Sequence, residues 1–151
     1  MAKYVFSVVQ RAKKQDLRLV VGDNPRGVDA ATIKAATRYG VDTTVYGSGK
    51  EPRNRTVADS EACRYVQVMR EEVDGEKRSA RVATHAERDR QMVDGADRVL
   101  TVWNGKSKGT RAVYEYARDS DKDVHLAMVR EGRSSFSASL DVSTINQRQT
   151  A

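Results

Sequence analysis

Apolar positions in this chain fall into short runs separated by polar, turn-rich stretches, and the spacing within the runs changes along the sequence. Over residues 3–15 (KYVFSVVQRAKKQ), Val5, Val8, Val9 and Ala12 share one helical face and basic residues crowd the end. This predicts an amphipathic helix whose basic C-terminus suits its dipole. The β-branched residues make a strand over residues 4–9 the competing reading. Residues 17–21 (LRLVV) read as a strand and residues 22–29 (GDNPRGVD) as a loop. The Ala-rich stretch 30–39 reads as a helix stopped by Gly40, and 41–46 as a strand closed by Gly47. Residues 47–61 have no periodicity and many turn formers, which predicts an irregular, mobile loop. Residues 63–69 alternate as a strand. Asp74-Gly75 and the run 77–83 would fold back on it, giving a small hairpin insertion near 63–83.

Thr84 and Glu87 have the spacing of a capping box, which predicts a helix from there to Gly95. The strand 99–103 (VLTVW) follows, then the polar loop 104–109. Thr110 opens a helix in which Val113, Tyr114 and Ala117 recur at helical spacing. Residues 124–129 make a last strand. Residues 131–151 have few large apolar side chains and read as a polar tail, disordered or lying over a neighbour.

Strands alternating with helical patterns argue for an α/β fold, a Rossmann-like parallel sheet with helices on both faces, built from residues 1–130 as one domain. In such sheets ligands bind at the carboxyl ends of the strands. Both Gly-containing loops, 22–29 and 104–110, follow a strand and precede a helix, so each is expected to leave backbone N–H groups at a helix N-terminus, where an anion such as phosphate is favoured.

Composition narrows the picture only a little. The 151 residues include 27 Lys and Arg against 21 Asp and Glu, a net charge of +6 that is interleaved rather than gathered in one tract. Such a surface is compatible with a phosphate-bearing partner without demanding one. Cys63 is the only cysteine, so no internal disulfide forms, which fits a reducing cytoplasm. No apolar run approaches the ~20 residues that span a bilayer, and no signal segment opens the chain, so a soluble, cytoplasmic protein without membrane partners is expected. His85 and His125 lack partners at metal-ligand spacing, so no metal is expected, and no cofactor is called for. Cys63 sits in a strand pattern and reads as core rather than nucleophile.

Two stretches together resemble a known family. VVGDNPRGVDAATIKAA resembles the Gly-Gly-x-x-Gly-x-Asp turn and helix of the SLOG superfamily. This Rossmann-like group includes the lonely-guy phosphoribohydrolases, DNA-processing protein A and the YspA-like proteins. ERDRQMVDGADRVLTVWNGKSKGTRAVYEYA resembles its second half: Arg-x-x-x-Met, Ala-Asp, a strand, Gly-x-x-x-Gly-Thr and a helix. The likeness is greatest to the YspA-like branch and covers about residues 17–129.

The resemblance implies a nucleotide or nucleotide-like ligand between the two loops. Gly22, Gly27 and Asp29 match the first motif. Gly105, Gly109 and Thr110 match the second, and Arg88 matches an arginine that serves the catalytic site of the hydrolases. Asp23 stands where the family has a second glycine, which suits a sugar hydroxyl or a metal better than a phosphate. Arg26, Lys106 and Lys108 flank the loops as ligand-binding candidates, and Trp103 either stacks on a base or fills the core or a lid, with burial habits favouring the latter. The family's first strand has no counterpart before residue 3. The hydrolases' glutamate is replaced by Val113, and Glu115 lies about 200° further round the helix. Glu115 reads instead as an ion-pair partner of Arg111 or Arg118.

These readings lead to nucleotide binding through the two loops. N-glycosidic hydrolysis of a nucleoside phosphate is then conditional on Asp29 or Asp23 supplying the missing carboxylate, with Arg88 as its charged clamp. One alternative is a non-catalytic sensor or sequestering module that acts as a homo-oligomer. Another is a single-stranded DNA-binding protein, favoured by the charge and opposed by an aromatic content of 6%.

Overall fold

The structure, a computed structural model, describes residues 1–69, 83–129 and 140–141. The chain is α/β, and its tertiary contacts gather into two compact units. One comprises residues 2–92; the other comprises Met1 and the chain from Val93 onward. Each has its own parallel strands and its own apolar cluster.

The first unit begins with helix α1 (Ala2–Lys14), so the helical reading prevails over the strand. Val5, Val9 and Ala12 are its buried residues, and they form one stripe at i, i+4 and i+7. That stripe packs on helix α2 (Gly27–Tyr39), where Ala35 and Ala36 are fully buried and their small side chains let the helices approach closely. Burying this stripe outweighs the modest strand preference of three valines. Lys13 donates to the carbonyl of Gly40, and Gly40 ends α2 in the left-handed conformation at φ 67°.

Strands β1 (Leu19–Gly22), β2 (Thr43–Gly47) and β3 (Cys63–Gln67) form a parallel sheet in that order. Val21 is opposite Val45, and Val45 is opposite Tyr65. Because side chains alternate along a strand, these three share a face. Ile33 of α2 and Val57 close the core over that face, with Cys63 and Tyr65 at its margin. The same alternation carries Asp23 and Gly47, just past and at the strand ends, onto this face.

The segment 47–61, expected to be irregular and mobile, is partly organised. It contains a short helix α3 (Thr56–Asp59) with Val57 in the core, and Arg53 is tied to Asp23. Strand β3 pairs in parallel with β2, and the turn of the expected hairpin lies outside the described residues. Helix α4 (His85–Asp94) opens with the expected capping box: the Thr84 N–H donates to Glu87 Oε2 at 2.7 Å and the Glu87 N–H to Thr84 Oγ1 at 3.2 Å.

In the second unit, β4 (Arg98–Trp103) and β5 (Asp123–Val129) are parallel and linked through helix α5 (Lys108–Asp119). Val93, Ala117 and Val124 form its core. Glu115 accepts from Arg111 Nε at 2.9 Å, the i, i+4 pairing that its position suggested. Within the expected tail, β6 (Leu140–Asp141) runs antiparallel beside β5; the rest of that tail lies outside the described residues. Among the described residues, no helix is long and apolar enough to cross a membrane.

Ile33 is fully buried where α2 meets the sheet. Ile33→Ala is therefore expected to lower the unfolding free energy by about 2–5 kcal/mol. A urea titration checks this through a lower midpoint at unchanged slope.

Candidate functional site

Loop 22–29 leaves the carboxyl end of β1 and turns directly into α2. Asp23 is only 1% exposed, and its carboxylate accepts four hydrogen bonds. Oδ2 takes the backbone N–H of Arg53 at 2.9 Å. Oδ1 takes Nε of Arg53 at 3.0 Å, Nη2 of Arg53 at 2.9 Å and Nη1 of Arg88 at 3.1 Å. Arg88, from the first turn of α4, is itself buried. Its Nε and Nη2 both donate to Asp89 Oδ1, at 3.0 and 2.7 Å. Asp29 is half-buried in the first turn of α2, where its Oδ2 accepts from the backbone N–H of Asn24 at 3.3 Å.

Two glycines make room for this cluster. A β-carbon at Gly22 would lie 2.5 Å from Asp29 Oδ2 and 3.0 Å from Arg88 Cζ. One at Gly47 would lie 2.5 Å from both Asp23 Oδ2 and the Tyr65 hydroxyl. Gly22 was expected to admit a ligand to the backbone; the space beside it is filled by Asp29 and Arg88. The Tyr65 hydroxyl in turn donates to the carbonyl of Gly49, holding the loop after β2 against β3.

The electrostatics separate the two carboxyls. Burial alone would raise Asp23, but the backbone and side-chain hydrogen bonds from Arg53 and the charges of Arg53 and Arg88 outweigh it, so Asp23 is held below the usual carboxylate range. Burial raises Asp29 above that range, and the nearby Arg88 only partly offsets it. Burial would lower Arg88, but the hydrogen bond and charge of Asp89, with the charges of Asp29 and Asp23, more than reverse it. Three carboxylates thus face two guanidiniums, and Asp29 ionises less readily than Asp23.

Of the residues singled out in the sequence, Gly22, Asp23, Arg26, Gly27, Asp29 and Arg88 all belong to this first unit. Asp23, placed there as a ligand contact, is turned inward, and its acceptor capacity is taken by the two arginines. Arg26 is exposed at the N-cap of α2 and provides no side-chain cap.

Trp103, Gly105, Lys106, Lys108, Gly109 and Thr110 belong to the second unit, around their own loop. That loop was expected to offer free N–H groups, but its own side chains take several of them. Asn104 Oδ1 accepts the N–H groups of Lys106 and Ser107 at 2.9 and 3.0 Å. Ser107 Oγ caps α5 by accepting from the Thr110 N–H at 3.3 Å and from the Thr110 hydroxyl at 3.0 Å. Trp103, half-buried, donates its indole N–H to the Ser107 carbonyl at 2.9 Å. Lys106, Lys108 and Gly109 are exposed.

Comparison with protein-family models, with curated proteins and with solved structures returned no match. The chemistry of the site therefore rests on its own geometry. Among the described residues, no group of three or more His, Cys, Asp or Glu is placed to hold a metal ion.

Four members of the cluster escaped the sequence reading: Gly47, Arg53, Tyr65 and Asp89. Gly47 carried a signal, since it ends β2 as Gly22 ends β1. Arg53 sits among turn formers, and nothing local distinguishes it from the exposed Lys50 and Arg55.

Gly47→Ala is expected to destabilise the fold by about 1–3 kcal/mol through overpacking. Gly109→Ala, whose new β-carbon meets nothing within 4 Å, is expected to be neutral or stabilising by up to about 1 kcal/mol through helix propensity. Paired denaturant titrations check the contrast.

The two carboxyls give opposite pH dependences. Asp23, lowered in the folded state, contributes stability above the ordinary carboxylate value that is lost as pH falls through its folded value. Asp29, raised, costs stability above its folded value, and that cost disappears as pH falls toward the ordinary value. Asp29→Asn is therefore expected to raise the melting temperature at pH 7, and the gain is expected to vanish near pH 4. Melting curves of both proteins across that range provide the check.

Proposed function

We propose that the chain binds a nucleotide or nucleotide derivative at the carboxyl end of the β1–β2–β3 sheet. One observation carries this reading: a half-buried carboxylate, Asp29, lies in the first turn of a helix with no side-chain cap, beside Arg88, which with Arg53 is locked by the buried Asp23. Such a site offers acceptors and donors side by side. A free anion would be opposed by Asp29 and a free cation by the arginines. A sugar phosphate matches both, with its hydroxyls donating to Asp29 and its phosphate facing the arginines. The resemblance of the loop to the SLOG turn supports the same ligand class.

Binding without hydrolysis is the form this reading takes. Splitting an N-glycosidic bond calls for a carboxylate at the reacting carbon, and Asp23 is engaged on all sides. Asp29 remains, and its carboxyl is half-buried in the first turn of α2 and held by the Asn24 N–H, a placement suited to accepting from a hydroxyl.

A thermal-shift panel of nucleoside mono- and diphosphates, nucleotide sugars and cyclic dinucleotides tests the proposal. A ligand present at 100 times its Kd is expected to add about 2.7 kcal/mol of stability. Asp29→Ala is expected to abolish the shift, and chromatography of the same mixtures is expected to show no released base. A panel in which no nucleotide moves the melting point would sink the reading.

A further inference from the structure

Arg53 is the member of the cluster that looks outward. Its side chain is 40% exposed, whereas those of Asp23 and Arg88 are 1% and 9% exposed. Three of its N–H groups are already fixed: the backbone N–H, Nε and Nη2 all donate to the Asp23 carboxylate. A guanidinium carries five N–H donors in a rigid plane. With Nε and one hydrogen of Nη2 directed at Asp23, both hydrogens of Nη1 and the second of Nη2 remain. Among the described residues, none bonds to Nη1. The remaining edge, formed by Nη1 and Nη2, has the fork geometry that takes two oxygens of one phosphate.

The loop bearing Arg53 is also held in place. The Tyr65 hydroxyl fastens Gly49, and Asn54 Oδ1 accepts the Thr56 N–H at 3.1 Å, so the segment on either side of Arg53 is braced. Asp23 therefore orients the guanidinium before any ligand arrives, and little side-chain freedom remains to be lost on binding. A buried salt bridge whose only task is to staple a loop has no need to leave one guanidinium edge at the surface.

We infer that Arg53 is the residue that takes the anionic group of the ligand, through the edge formed by Nη1 and Nη2, with Asp23 as its positioning residue. This rests on the nucleotide reading for the identity of the ligand but not for the anion site itself. It moves phosphate recognition to the loop after β2, beside loop 22–29 and within the same unit. The ligand would thus be read by loops from two adjacent parallel strands.

Isothermal titration of wild type, Arg53→Lys and Arg53→Gln tests this, using the four nucleoside monophosphates, the four nucleosides and inorganic pyrophosphate. Both variants are expected to bind monophosphates and pyrophosphate at least tenfold more weakly and to bind nucleosides as wild type does. A purely structural staple would instead weaken nucleosides and nucleotides alike, and that result would overturn the inference, as would unchanged pyrophosphate affinity in both variants.

Should the variants fail to fold, wild-type protein treated with phenylglyoxal and mapped by mass spectrometry answers the same question. Saturating pyrophosphate is expected to slow modification of Arg53 at least tenfold, and unaltered modification would overturn the inference. Protection of Arg53 by pyrophosphate with no binding of any monophosphate would leave the anion site standing and remove the nucleotide reading. Monophosphate binding without protection of Arg53 would do the reverse.

Discussion

A carboxylate with almost no access to water, Asp23, organises the first unit. Such a charge is stable only when paired and fully hydrogen-bonded, because desolvation costs several kcal/mol that only close, well-directed donors recover. Asp23 meets this demand with four donors from two arginines that are distant in sequence. Other features follow from that requirement. Gly22 and Gly47 must lack side chains, because the cluster occupies the volume their β-carbons would take. The loop after β2 must return to the sheet edge to deliver Arg53. The start of α4 must stand close enough to deliver Arg88, and the capping box at Thr84 and Glu87 sets where that helix begins.

Pairing Asp23 so completely divides the labour between two acids that stand six residues apart. One is an anion that structures the cluster through its bonds to Arg53 and Arg88. The other, Asp29, is half-buried, and burial raises its carboxyl above the usual carboxylate range. Catalytic sites that use two carboxyls also drive their pKa values apart, but both then face the substrate. Here only one does. An electrostatic split between two carboxyls therefore does not by itself mark acid–base chemistry; here it follows from the burial and pairing of Asp23.

The elements were largely legible, and the reasons differ from one to the next. The i, i+4, i+7 stripe of α1, the Thr84–Glu87 box and the Arg111–Glu115 pair are local patterns whose physics lies within four to seven residues. The strands could be read because each is a short apolar or alternating run between turn formers. The site was legible in half. Asp29 and Arg88 stood out, but what they do depends on Arg53, which belongs to a stretch without periodicity and meets Asp23 across thirty residues. A buried ion pair of that separation leaves no trace in spacing, composition or hydropathy. Its one sequence shadow is the pair of glycines closing two adjacent strands, which reads as a turn signal until the side chains are in place.

The same limit explains why the two Gly-containing loops looked alike and are not. Both join a strand to a helix, and both place backbone N–H groups where an anion is favoured. In loop 104–110, however, Asn104 and Ser107 are spaced to turn back on the chain, and they satisfy the N–H groups of Lys106, Ser107 and Thr110. An anion entering there would have to replace hydrogen bonds already made. At α2 the corresponding polar side chains face other tasks: Asn24 accepts from Arg26, Asp29 accepts from Asn24, and no side chain caps the helix. The helix whose start remains uncapped is also the one beside the arginine cluster. Capping chemistry, more than glycine content, therefore distinguishes the two loops.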